Sequence, residues 1–251
     1  MSGHSKWANI KHKKAKADAA RGRIFTRLGR ELMVAVRHGG PDPETNFRLK
    51  MVMDKARAVN MPNDNIMRVI QRASGSQEGA NLEEIVYEGY GPGGVAVMLE
   101  LLTDNRNRTA SEIRHLFSRH GGNLGESGCV AWMFSQKGSL VLERATLDKS
   151  IDEVMMDALE AGAEDVQEDE DTIEILTEPA DFAQVEEALA KKGYQFSEAK
   201  IARIPQNTVE LSRDDAARML KLMEELEEHD DVQEIYANFD IPDEILASLE
   251  E

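Results

Sequence analysis

GSLVLERATLDKSIDEVMMDALEAGAEDVQEDEDTIEILTEPADFAQVEEALAKKGYQFSEAKIARI, residues 138–204, is the stretch whose reading decides the fold. Its apolar period switches repeatedly. A short aliphatic run at 140–142 predicts a strand. Ser150 and Glu153 then stand at capping-box spacing ahead of Val154, Ala158 and Leu159, and Gly162 closes that helix. Residues 172–176 predict a second strand, Phe182, Val185 and Leu189 a second helix stopped by Gly193, and residues 200–204 a third strand. Strand and helix alternating at this spacing predict a small ferredoxin-like layer of helices on an antiparallel sheet. The acidic runs 164–171 and 224–231 read as solvated faces and turns, although either could repel nucleic acid or mimic a polyanion.

Outward from this unit, the flanks complement each other. Upstream, residues 85–87 and 95–102 predict strands around the turn Gly91-Pro92-Gly93-Gly94. Thr109 and Glu112 have capping-box spacing before Ile113, Leu116 and Phe117, Gly121-Gly122 ends that helix, and residues 130–134 predict a short apolar strand. Downstream come residues 208–211, a helix carrying Ala216, Met219, Leu220, Met223 and Leu226, and a strand at 232–239. The later elements could complete the sheet begun at residue 85. The predicted architecture is therefore a multidomain α+β chain: a helical domain at 1–76, an α+β domain made of 82–136 plus 205–240, and a ferredoxin-like domain at 137–204 inserted in it. In the helical part, Phe25, Leu28, Leu32 and Val36 run up to Gly39-Gly40, Leu49, Val52, Ala56 and Val59 end before Pro62, and Ile66, Val69, Ile70 and Ala73 follow Asn63 as N-cap. Residues 74–81, SGSQEGAN, read as a linker.

Charge divides the chain more sharply than any motif. Residues 1–72 hold 16 Lys and Arg against 6 acids, a net of +10, whereas residues 73–251 hold 14 against 41, a net of −27. Such a chain brings one end to a polyanion and holds the rest away from it. At 251 residues with 41% hydrophobic content it can fill several small cores. No apolar run reaches membrane-spanning length and no secretory signal is present, so no membrane is expected; a mitochondrial transit peptide is the competing reading of the basic start. One cysteine, Cys129, excludes an internal disulfide and suits a reducing cytoplasm.

Four segments carry a resemblance: GHSKWANIKHKKAKADAARGRIFTRLGREL near the start, KARAVNMPNDNI at 55–66, YEGYGPGGVAVMLELLTDNRNRTASEIRHLFSRHGGNLG at 87–125 and YANFDIP at 236–242. With them the chain resembles the YebC family, which holds bacterial transcriptional regulators and a mitochondrial translational activator of cytochrome oxidase. The resemblance covers nearly the whole chain. It implies three domains, the third inserted in the second, and nucleic-acid-linked regulation of gene expression in the cytoplasm. Two positions depart from the family's usual pattern: Phe47 stands where Pro is common, which extends the second helix amino-terminally, and Cys129 where Ser is usual.

Lys6, Lys11, Lys13, Lys14, Lys16, Arg21, Arg23 and Arg27 are the candidate phosphate contacts, with Trp7 available to stack on an unpaired base and His12 to meet phosphate or a ribose hydroxyl. The competing reading is a basic tail lying on the protein's own acidic domains, with Trp7 packed on the helices and His12 simply exposed. Arg106, Arg108 and Arg114, beside Asn105 and Asn107, form a possible second contact, or else a salt-bridged loop and helix. Partners of this pattern are DNA and/or RNA, with the ribosome or transcription machinery behind them, and a protein-interaction scaffold is the rival class. No cofactor and no metal is expected: His4 and His12 lack a third ligand, and the GYGPGG turn lacks the lysine and following helix of a phosphate loop. An enzyme would need His115, His120 and Cys129 in one pocket; as a residue next to an apolar strand, Cys129 reads instead as a small buried hydrophobe.

Overall fold

The computed structural model of the chain describes residues 17–75, 82–169 and 171–250, with side chains except at positions 17–21, 243 and 250. The first unit is three helices. Helix α1 (Ala17–Gly39) buries Leu28, Leu32, Ala35 and Val36 and stops where Gly40 takes φ +85° and donates to the Val36 carbonyl at 2.8 Å. Helix α2 (Phe47–Ala58) starts at Asn46, whose side chain accepts from Leu49 N at 3.0 Å and donates to the Ala35 and Gly40 carbonyls at 2.8 Å. One buried amide thus ties the end of α1 to the start of α2. It fits because Gly39 has no Cβ, which would come within 2.6 Å of it. Helix α3 (Asn63–Gly75) buries Ile66 and Ile70. Asn63 is inside its first turn rather than its cap, because the Pro62 carbonyl already accepts from Asn65 and Ile66. Helices α2 and α3 both lie along α1 and scarcely touch each other.

The second unit opens with the hairpin β1 (Glu83–Tyr90) and β2 (Ala96–Thr103), antiparallel from Glu83 opposite Thr103 to Tyr90 opposite Ala96. Its tip is a single tight turn at Pro92–Gly94, where Gly93 and Gly94 take φ +71° and +78°. Helix α4 (Arg106–Arg119) follows, then β3 (Asn123–Leu124). The N-cap of α4 is Asn105, accepting from Arg108 N at 3.1 Å; Thr109, expected as the cap, is buried one turn in, with Glu112 in solvent. A capping-box spacing was present there without the geometry, since the Thr109 hydroxyl bonds elsewhere.

Residues 130–134 form a turn at Ala131–Met133 and the start of a long strand, β4 (Phe134–Glu143), rather than a short strand of their own. The strand therefore crosses the expected junction at 136/137. The inserted unit continues with α5 (Ile151–Ala161), β5 (Asp165–Glu168), β6 (Thr172–Thr177), α6 (Phe182–Lys191) and β7 (Glu198–Pro205). Its sheet order β5-β6-β4-β7, all antiparallel, is that of a ferredoxin-like βαββαβ unit. Strand β5 comes from the acidic run read as solvated. Leu159, expected on the core stripe of α5, points to solvent; Val154, Ala158 and Ala161 are the buried residues. The capping box at Ser150 and Glu153 is complete, so Ser150→Ala should cost about 1 kcal/mol of stability, measurable as a lowered melting temperature.

The chain then returns to the second unit: β8 (Val209–Glu210), α7 (Arg213–Glu228), β9 (Val232–Ala237), β10 (Phe239–Asp240) and α8 (Asp243–Glu250). Strand β9 pairs with β2, giving the order β3-β1-β2-β9, while β8 and β10 pair in parallel. Helices α4 and α7 cover one face of this sheet through Ile113, Phe117, Met219, Met223 and Leu226. The other face of β2, Ala96 and Met98, packs with Phe134, Leu176, Ala202 and Ile204 of the inserted unit. Residues 95–99 are an unbroken apolar run because both faces of β2 are covered there; Glu100, bonded by Arg203 at 3.0 Å, interrupts it before Leu101 and Leu102. Among the described residues no helix is long and apolar enough to cross a membrane.

Candidate nucleic-acid interface

Lys6, Trp7, Lys11, His12, Lys13, Lys14 and Lys16 lie outside the described residues, as does the side chain of Arg21. What the structure defines is the helix that follows them. Arg23, Arg27 and Arg30 recur at four- and three-residue spacing and so share one flank of α1. That flank meets the carboxyl end of α7, where a helix dipole is negative and backbone carbonyls lack partners within the helix. Arg23 Nη2 lies 3.3 Å from Glu228 Oε1, Arg27 Nη2 donates to the Glu227 carbonyl, and Arg30 Nη1 donates at 2.7 Å to both the Asp230 carbonyl and Asp231 Oδ1. Burial draws the Arg27 guanidinium below its ordinary value, with Glu227 opposing the shift. Arg27 and Arg23, expected to contact phosphate, are in this structure engaged with the second unit. The α1 core stripe of Leu28, Leu32 and Val36 leaves these arginines on its flank, and that flank faces another domain.

Asp231 is where the first unit meets both sequence segments of the second. It is 2% exposed, and its carboxylate accepts from Arg30 at 2.7 Å, from the Thr109 hydroxyl at 2.7 Å and from Arg108 Nη2 at 2.8 Å. Burial alone would raise its pKa; the bonds from Arg108, Thr109 and Arg30 outweigh burial and hold it below the usual carboxylate range. Arg108, one of the three arginines of the possible second contact, is thereby salt-bridged, as is Arg119 to Glu225 at 3.3 Å. Arg106 and Arg114 remain exposed and without an ion pair among the described residues. On the helical unit Arg48 pairs with Glu84 at 2.5 Å and Arg57 with Asp54 at 2.9 Å, whereas Lys50 is exposed with no such pair among the described residues.

A cleft runs where the three units meet. It opens into cavities of about 550 and 720 Å³ that share Glu31, Met51, Lys55, Lys200, Gln233 and Glu234. Lys200 is 7% exposed, 2.7 Å from Glu198 and 2.9 Å from Glu234. Burial pulls its ammonium down, and the two carboxylates more than restore it, so it stays charged. Burial pushes Glu31 up, against the pull of Lys55 3.7 Å away. Of these pairs Lys200–Glu234 joins the inserted unit to the second, while Lys200–Glu198 and Lys55–Glu31 each lie within one unit.

His115, His120 and Cys129 do not share either cavity. His120 Nε2 sits 3.1 Å from Glu225 at the end of α4, while the Cys129 thiol, pushed up by burial and by Glu88, packs in the apolar layer between the two sheets. Glu112, His229 and Asp231 bring three ligand-type atoms together, but Arg108 stands 3.8 Å from Glu112 and 2.8 Å from Asp231 and already supplies the cation. One residue passed over in the sequence is Trp132, 65% exposed on the turn before β4; its apolar neighbours gave it the look of a buried strand residue.

A family model described as the TACO1/YebC protein N-terminal domain matches residues 5–76, and one described as the TACO1/YebC second and third domain matches residues 82–239. A "Probable transcriptional regulatory protein" of Dictyoglomus turgidum is 56% identical over 249 residues, covering 99% of this chain and 100% of its own. One of the same name from Desulfitobacterium hafniense is 58% identical over 246 residues, covering 98% of each. The crystal structure of a conserved hypothetical protein from Aquifex aeolicus matches with a TM-score of 0.86 and 49% identity over 94% of this chain and 97% of that one.

Proposed function

Because this chain belongs to the TACO1/YebC family, we propose that it is a regulator of gene expression that grips the sugar–phosphate backbone of nucleic acid, duplex DNA first, with the cations of its amino end. The observation that carries this reading is the segregation of charge, +10 in residues 1–72 against −27 in the remainder. The docking of α1 complements it. Arg23, Arg27 and Arg30 are spent on fixing the helix to the acidic body, leaving Lys6, Lys11, Lys13, Lys14, Lys16 and Arg21 as the cations that precede the anchored stretch. Phosphate contacts position without reading bases, and the second and third units, being acidic, keep the polyanion at the amino end.

The test is a variant with Lys11, Lys13, Lys14 and Lys16 all replaced by Ala. Affinity for duplex DNA should fall at least tenfold at fixed salt, and with about six phosphate contacts in the parent the log–log salt slope should start near about −5 and flatten in the variant. The melting temperature should barely move, because exposed charges contribute little to stability. Unchanged affinity would remove these lysines from the mechanism.

A second reading, structured RNA in translation, is favoured by one observation: α2 and α3 each pack on α1 and scarcely on each other, so they do not form the supported pair of a helix-turn-helix that reads a major groove. A backbone grip of this kind serves folded RNA equally. Running the titration with duplex DNA and structured RNA in parallel separates the two.

A further inference from the structure

The loop at residues 125–133 is tightly built: Val130 is buried and Cys129, Ala131 and Met133 pack on the layer between the two sheets, whereas Trp132 is left outside it. Glu88, 5% exposed, accepts from the backbone N–H of Gly128 at 2.7 Å and of Val130 and Ala131 at 2.8 Å. The Tyr90 hydroxyl donates to the Cys129 carbonyl at 3.2 Å. Gly125 lacks the Cβ that would strike Cys129 Sγ at 2.5 Å, and Gly128 takes φ +89°. At the end of this loop stands Trp132, its indole Nε1 donating to the same Cys129 carbonyl at 3.1 Å and its ring 65% exposed. A large aromatic left in water forgoes the burial that is its chief contribution to stability. Since the indole N–H is already bonded within the loop, what remains on offer is the π surface.

The charge beside that surface is negative. Glu126, in the same loop, is exposed, and its carboxylate acts with that of Glu88 on the Cys129 thiol. The cation that acts on Glu88, Arg203, is bonded to Glu100 at 3.0 Å. Gln206, whose N–H donates to the Met133 carbonyl at 2.9 Å, and Asn207 add exposed, uncharged amides along the other side. We propose that Trp132 anchors a protein-docking surface for a basic, arginine-bearing segment of a partner protein, the guanidinium lying over the indole face and Glu126 facing its charge. Arginine suits the site better than lysine because its planar cation can stack on the ring while its donors meet a carboxylate. A phosphate polymer suits it worse, because the surrounding units carry the −27 of residues 73–251. This surface is separate from the grip assigned to the amino end and does not depend on it.

The test uses the full chain carrying Trp7→Phe, which leaves Trp132 as the one indole. Its emission is followed while hexa-arginine peptide, hexa-lysine peptide or a single-stranded oligonucleotide is added at physiological salt. Hexa-arginine should shift the emission, and Trp132→Ala, read by a label on the peptide, should weaken its binding about fivefold while barely altering hexa-lysine. Trp132→Phe, which keeps a ring and guards against a loop that merely collapses, should lie between. Equal losses for the two peptides, or none, would leave only bulk charge and overturn the proposal. Quenching by the oligonucleotide but not by the peptides would overturn it in favour of a base-stacking site.

Discussion

Asp231→Ala is expected to destabilise the protein by about 3 kcal/mol, since removing one member of a buried, hydrogen-bonded ion network leaves its partners uncompensated. Arg30 would lose its carboxylate while keeping only backbone carbonyls, and the buried Thr109 hydroxyl would be left with the Asn105 carbonyl of the neighbouring turn and the Thr103 hydroxyl. For a chain of this size that corresponds to a fall of roughly 6–12 °C in melting temperature. Arg30→Ala or Arg108→Ala should cost less, because Asp231 retains two donors in either case. The pH dependence has a definite sign. The folded-state pKa of Asp231 is lowered, so its contribution is fully present above the unfolded value of about 3.9 and is lost as pH falls through the folded value. Acid unfolding of the parent should therefore include a component that the variant lacks. A melting temperature within a degree of the parent would refute the network's role.

Glu88→Ala should cost about 3–4 kcal/mol by a different route. Three backbone N–H groups lose their acceptor together; that of Val130 is buried, while those of Gly128 and Ala131 are half-buried and recover part of the loss from water. Glu88→Gln is not a mild substitute: its amide nitrogen would face donors in place of an acceptor. Burial by itself raises the Glu88 pKa, and the bonds from Gly128, Val130 and Ala131 outweigh it, so this stabilisation also disappears on acidification through a depressed value. In the Trp7→Phe background, Trp132 emission should report a loosened loop in Glu88→Ala before global unfolding. A loop that stays fixed without the carboxylate would show that Tyr90 and Trp132 suffice.

Much of the architecture could be read from the sequence, and the failures share a cause. The helices of the first unit and those around Val154, Phe182 and Met219 declared themselves because one face of each is buried, which imposes a period on the residues. Strand β5 did not: it is an edge strand whose four residues, Asp165 to Glu168, include one apolar side chain, so its pairing with β6 supplies what periodicity cannot. Strand β4 was cut short because Lys137, Gly138 and Ser139 interrupt its apolar residues; Gly138 is glycine because a Cβ there would meet Thr177 Oγ1 at 2.2 Å. The cationic candidates show the same limit. Local spacing placed Arg23, Arg27 and Arg30 on one flank of a helix, but their partners lie some two hundred residues further on, and nothing in the neighbourhood of either group announces the pairing. The lysines before residue 17 stay as the sequence presents them.

The nested arrangement also fixes an order of assembly. Phe134 and Pro205 face each other across the first and last strands of the insert, so both of its connections leave from adjacent points, and all four of its strands exist once residue 205 has been made. The host does not have that independence: β9 beside β2, and the α7 residues that cover Leu99 and Leu101, are translated afterwards. As the nascent chain lengthens, the guest can finish folding while its host still waits for its closing strand. A product ending shortly after residue 205 would thus carry two completed modules around an unclosed and sticky third, which makes the codons for residues 206–240 ones where premature termination harms solubility.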